Sequence, residues 1–128
     1  MSIALFLITH EGIASNLLSI GESITQKPNN NLSFIEVPMD ADLDTMINNI
    51  ENKLNKLNLD TGILFITDIY GGTPSNIAQL LATNYDAKLL SGVNLPMIIR
   101  LLNYRDETEQ VLIQKALDGA RTDIQINN

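Results

Sequence analysis

The chain is 128 residues long, one domain's worth, enough to bury about two-thirds of the surface an unfolded chain exposes. Hydrophobic residues at 45% encode a packed core, and the absence of cysteine excludes disulfide scaffolding, thiolate catalysis and Cys-ligated zinc or iron–sulfur centres. Eight basic against 15 acidic residues leave a net charge of −7, which disfavours nucleic acid and anionic membranes as partners, and the single histidine, His10, excludes a multi-histidine metal site within one chain.

Taken in chain order, the first element is the apolar run at residues 3–8, read as a fully buried strand. It is too short to span a bilayer and lacks the flanks of a signal peptide, so the cytoplasm is the expected compartment. Thr9 and His10 follow at its carboxyl end. Ile13, Leu17, Ile20 and Ile24 recur at helical spacing and are expected to form the buried face of a helix. Lys27-Pro28-Asn29-Asn30-Asn31 is a surface turn. Leu32–Val37 alternates and belongs nearer a sheet edge. Leu43, Met46, Ile47, Ile50, Leu54 and Leu57 form an apolar stripe on a second helix.

Ile63–Thr67 is again a buried strand, ending in Asp68-Ile69-Tyr70-Gly71-Gly72-Thr73-Pro74. Thr73 is placed as N-cap and Pro74 as the first residue of a third helix carrying Ile77, Leu80 and Leu81. A strand at 87–93 is read as buried, and Asn94-Leu95-Pro96 opens a short helix. A last helix is expected over about 107–117, ending near Gly119, and the tail at 122–126 alternates like one more strand. Strands alternating with helices predict a single α/β domain over residues 1–128. Its sheet is open, mainly parallel and four-stranded, with helices on both faces.

Sites in such sheets form outside the carboxyl ends of the strands, which gathers Thr9-His10, the 68–74 segment and Gly92-Val93-Asn94 on one side. His10 could be an ordinary loop histidine, but its place directly after a buried strand favours a role. Asp68 reads equally as a turn-capping aspartate or as the group that fixes the His10 tautomer and leaves its other nitrogen as nucleophile. Gly71-Gly72-Thr73 reads as a tight turn or as an anion cradle at a helix N-terminus. Together the three suggest a phosphoryl group carried on His10. Walker and dinucleotide-binding loops are absent. Thr9 stands where a histidine phosphatase would have arginine, and Thr9-His10 where a receiver domain would have its acidic pair.

On these residues, with Asn76 and Ser91-Gly92-Val93-Asn94-Leu95-Pro96-Met97, the chain resembles the enzyme IIA component of the mannose family of the bacterial phosphoenolpyruvate-dependent sugar phosphotransferase system. The resemblance covers nearly the whole chain. It implies a phosphotransferase without metal or cofactor, in which His10 accepts a phosphoryl group from the histidine-containing phosphocarrier protein and passes it to a IIB component. It further implies that Asp68 orients the imidazole, that Thr9, Gly71, Gly72 and Thr73 contact the phosphate, and that the chain is a homodimer exchanging an antiparallel C-terminal strand. Two departures stand out. Glu11 occupies the position where the family usually has glycine, which bears on partner choice and transfer rate. The chain ends at Asn128 without an Ala/Pro-rich linker or a IIB domain, so the acceptor is expected to be a separate protein. The alternative is a regulatory module whose phosphorylation state signals to a non-transport partner. A flavodoxin-like ligand domain is disfavoured by the lack of an aromatic-rich loop.

Overall fold

In the computed structural model, which describes residues 2–28 and 30–128, a parallel four-stranded sheet carries helices on both faces. The elements in order are β1 (Ala4–His10), α1 (Ala14–Thr25), β2 (Leu32–Val37), α2 (Leu43–Leu54), β3 (Ile63–Thr67), α3 (Thr73–Asn84), β4 (Lys88–Leu90), α4 (Leu95–Asn103) and α5 (Glu109–Thr122). The strand order is β2-β1-β3-β4. The chain winds one way from β1 to β2 and then returns to place β3 on the other side of β1. The strand order therefore reverses between β1 and β3, where open α/β sheets form a crevice.

Alternate residues of the central strands feed two cores. Leu5, Leu7, Leu64 and Ile66 face α1, α4 and α5, where they meet Leu18, Met97, Ile98, Leu101 and Leu112. Phe6, Ile8 and Phe65 face α2 and α3, against Ile50, Leu54, Ile77 and Leu81. β1 and β3 are thus apolar on both sides, as their uninterrupted runs require. No helix among the described residues is long and apolar enough to cross a membrane.

Several sequence expectations are corrected. The stripe Ile13-Leu17-Ile20-Ile24 is not the buried face of α1. That face is Ala14, Leu18 and Gly21, while Ile20 and Ile24 stand 46% and 55% exposed. The cause is close packing: a Cβ on Gly21 would lie 2.6 Å from Ile98 Cγ2 of α4, so the small-residue side is the one that admits the neighbouring helix. β4 is not a buried central strand over 87–93. Only Lys88–Leu90 pair, with β3 alone, and Gly92 at φ +85° turns the chain out of the sheet. β2 is the opposite edge, as its alternation indicated.

α3 begins one residue earlier than expected, with Gly72 as N-cap and Thr73 inside the helix making no cap bond. α5 starts at Glu109 under a Thr108 cap and runs through Gly119 to Thr122. Gly119 does not stop the helix. It lets α5 pass α4, since a Cβ there would sit 2.4 Å from Arg100 Cγ. Residues 124–128 form no strand within the single chain, and Ile124 and Ile126 are 80% and 97% exposed. The turn expected at 27–31 includes Asn29, which lies outside the described residues.

The sheet edge at the strand amino ends is closed by Arg105, whose buried guanidinium donates to the main-chain oxygens of Ile3, Asn30 and Asn31. The site lies at the other edge.

Candidate functional site

His10 is the last residue of β1, and Asp68 follows the last residue of β3. The two strands are direct neighbours with Ile8 opposite Thr67, so the register alone brings the two residues together across the crevice. Asp68 Oδ2 accepts twice from His10: from the ring Nδ1 at 2.8 Å and from the main-chain N–H at 3.0 Å. Its other oxygen accepts from the Ile69 N–H at 3.0 Å and from the Thr67 hydroxyl at 3.3 Å. The carboxylate is thus saturated and held by a stiff strand end.

Burial raises the cost of ionising Asp68. The His10 main-chain N–H and ring, with Asp68's own main-chain N–H, more than offset this and hold the carboxyl below its usual range. An ionised carboxylate can only accept, so His10 Nδ1 carries a proton, and in the neutral ring it is Nε2 that holds the free lone pair. The His10 side chain is 42% exposed and that of Asp68 only 7%, which leaves one edge of the ring accessible and its hydrogen-bond partner enclosed.

The third component is the N-terminus of α3. Gly71 has φ +92°, and Gly72 has φ +86° with ψ 175°, a backbone region essentially restricted to glycine. A Cβ on Gly72 would lie 4.0 Å from His10 Cε1, the carbon between the two ring nitrogens, so this turn passes beside the ring. The first helical bond of α3 runs from the Asn76 N–H to the Gly72 oxygen at 3.0 Å, which leaves the earlier N–H groups of Thr73 and Ser75 without helical partners. There is no acidic residue in that turn and no side-chain cap. With the helix dipole, these groups offer an anion a place beside the imidazole. The exposed Thr73 hydroxyl stands in the same turn.

Thr9, expected to contact phosphate, is placed differently. It is fully buried, its hydroxyl donates to the His10 oxygen at 2.8 Å and it accepts from the Ala14 N–H at 3.1 Å. Its work is to fix the chain on either side of His10, and it has no surface for a ligand. Glu11 is exposed on the loop beyond His10. The Val93 N–H donates to the Thr67 oxygen at 3.2 Å, which ties the third loop of this edge to the strand that carries Asp68.

One participant was not singled out from sequence. Glu36, near the end of β2 and opposite Thr9 in register, accepts from the Ser15 N–H at 2.9 Å and from the Ser15 hydroxyl at 2.7 Å. The alternation of Leu32, Phe34 and Glu36 puts its side chain on the α1 face, and that was the available signal.

A family model described as the PTS system fructose IIA component matches residues 4–116. The chain belongs to this family. It is 31% identical over 108 residues to the PTS system mannose-specific EIIAB component of Escherichia coli (strain K12), covering 84% of this chain and 33% of that protein. The chain therefore spans about a third of the length of that curated relative. Its fold matches the mannose/sorbose specific IIA subunit of Enterococcus faecalis, with a TM-score of 0.84 at 19% identity over 100% of this chain and 96% of that one. It also matches the phosphotransferase system component EIIA of Streptococcus agalactiae, with a TM-score of 0.82 at 23% identity over 97% and 96%. Together these make the chain a mannose-family IIA component with the α/β fold of the known IIA structures.

Proposed function

We propose that this IIA chain is a phosphocarrier of the sugar phosphotransferase system, working through a phosphohistidine at His10. The supporting observation is the 2.8 Å contact between His10 Nδ1 and Asp68 Oδ2 on a ring half-exposed beside the open N-terminus of α3. The donor is the histidine-containing phosphocarrier protein. His10 Nε2 attacks the phosphorus, and the nitrogen–phosphorus bond of the donor breaks, its electron pair returning to the donor imidazole. The Nδ1 proton stays on His10, where Asp68 stabilises the cationic character the ring gains. The incoming oxygens are met by the free N–H groups of the α3 turn and by the Thr73 hydroxyl. In the second half-reaction a IIB component takes the phosphoryl group by the reverse chemistry. Reactant and product are both phosphohistidines, so catalysis rests on positioning and on preorganised charge.

Transfer between proteins needs a docking face. Met39 after β2 and Ile69 and Tyr70 after β3 are exposed by 94%, 59% and 83% on the same edge as His10. Exposed apolar side chains at that edge of a molecule of charge −7 suit a partner with a basic rim. This reading assigns the chain to the cytoplasm, with the phosphocarrier supply. The test is incubation with phosphoenolpyruvate, enzyme I and the phosphocarrier protein. Wild type should take up acid-labile phosphate, and His10→Ala should take up none while remaining folded by circular dichroism. Phosphate uptake by the alanine variant would overturn the assignment.

A further inference from the structure

Two helix N-termini flank the β1/β3 crevice, one from α1 and one from α3, and they differ in one respect. The α3 turn has no acidic residue and no side-chain cap. The α1 helix also lacks a cap of its own, because Ile13 stands at its N-cap position and its first turn contains no acid. Two of its N–H groups are satisfied from the sheet instead. Thr9 Oγ1 takes the Ala14 N–H, and Glu36 takes both the N–H and the hydroxyl of Ser15. Thr9 and Glu36 are register partners on adjacent strands, so one rung of the sheet caps the Ala14 and Ser15 N–H groups of that turn. The Ser15 N–H is the main influence holding the Glu36 carboxyl below its usual range. Burial opposes it, and the Ser15 hydroxyl and Gly12 N–H add to it.

We propose that Glu36, seated on Ser15, is a positioning residue that neutralises the α1 N-terminus and so directs the phosphoryl group on His10 to the α3 side alone. The inference rests on the phosphocarrier reading for its consequence, but its physical basis is independent of it. A dianion at this crevice would otherwise be attracted to both of the positive helix ends that flank it. With a carboxylate bound to α1, that end repels phosphate. The same bonds tie the far end of the loop that begins at His10. The near end is fixed by the Thr9 hydroxyl on the His10 oxygen and by Asp68 on the His10 N–H.

The test uses the full chain and inorganic phosphate, followed by amide NMR. In wild type, phosphate should move the amides of the α3 first turn and leave Ser15 and Asn16 in place. In Glu36→Gln, which keeps an acceptor for Ser15 but no charge, phosphate should move Ser15 and Asn16 as well. The same variant should take phosphoryl from the phosphocarrier protein roughly tenfold more slowly at an unchanged KM for the donor. Thr108→Ala removes a helix cap at the opposite sheet edge. It should transfer at the wild-type rate even where its loss of thermal stability equals that of Glu36→Gln. The proposal is overturned if phosphate moves Ser15 and Asn16 in wild type, or leaves them unmoved in Glu36→Gln. It is equally overturned if Thr108→Ala slows transfer as much. Failure of wild type to be phosphorylated at all would instead remove the phosphocarrier reading, while the phosphate titration would still decide the role of Glu36.

Discussion

An imidazole becomes a one-sided nucleophile when its tautomer is fixed, and in the proposed mechanism the group that fixes His10 is a carboxylate hydrogen-bonded through both of its oxygens. Asp68→Asn keeps the size but loses the charge and can present its amide nitrogen to the ring. We expect phosphoryl transfer to slow by roughly tenfold to a hundredfold, with the fold retained, as when other histidine-orienting partners are removed. Stopped-flow transfer rates and circular dichroism check both halves. The pH dependence has a definite sign. The folded values of Asp68 and Glu36 lie below their ordinary 3.8 and 4.5. Their contribution to stability is therefore complete above those values and is lost as pH falls through the depressed folded ones. Denaturant titrations should show wild type losing stability on acidification through that window, and Asp68→Asn losing less. The pairing of His10 with Asp68 was legible in the sequence because each stands at the carboxyl end of an apolar strand. Thr9 was misread because sequence does not show on which side of a strand end a hydroxyl faces. Glu36 was missed because its partner lies 21 residues away on another element.

At the scale of elements, the site is made by the turn into α3 more than by any side chain in it. Gly72 sits at φ +86° and ψ 175°, and a Cβ there would still have ordinary contact distance to His10 Cε1. The obstacle for other residues is backbone strain, on the order of 1–3 kcal/mol, and a branched side chain would also fill the space the phosphate needs. Gly72→Val should therefore lower both the unfolding free energy and the phosphorylation rate. Normal phosphorylation of that variant would remove the cradle from the mechanism. The start of this helix was legible to within one residue from Gly-Gly-Thr-Pro. The helix faces were less so. On α1 four apolar residues at helical spacing signalled the wrong face, because the side chosen by packing is the one where Ala14 and Gly21 let α4 approach. Periodicity records hydrophobicity, and it is blind to how near a neighbouring helix must come.

For the molecule as a whole, the parallel order and two-sided burial follow from uninterrupted apolar strands, and the β2-β1-β3-β4 order sets the crevice where His10 and Asp68 meet. What a single chain leaves open is its tail. The Asn94 side chain donates to the Ala120 oxygen at 3.1 Å, so α5 ends at the edge that carries the site, and Ile124 and Ile126 leave it exposed. Exchange of this tail with a second copy, pairing it to an edge strand, would bury both isoleucines and cover that edge. Sedimentation should give a dimer at micromolar concentration for the intact chain and a monomer or aggregate after deletion of residues 121–128. A monomeric intact chain would end the exchange proposal and leave the chemistry of His10 untouched. That chemistry is tested most directly by locating the phosphate. The chain phosphorylated by the phosphocarrier protein is examined by long-range nitrogen–proton and phosphorus NMR of the His10 ring. The expected result is a phosphoryl group on Nε2 with Nδ1 still protonated against Asp68. Phosphate on Nδ1, or on any residue other than His10, would contradict it.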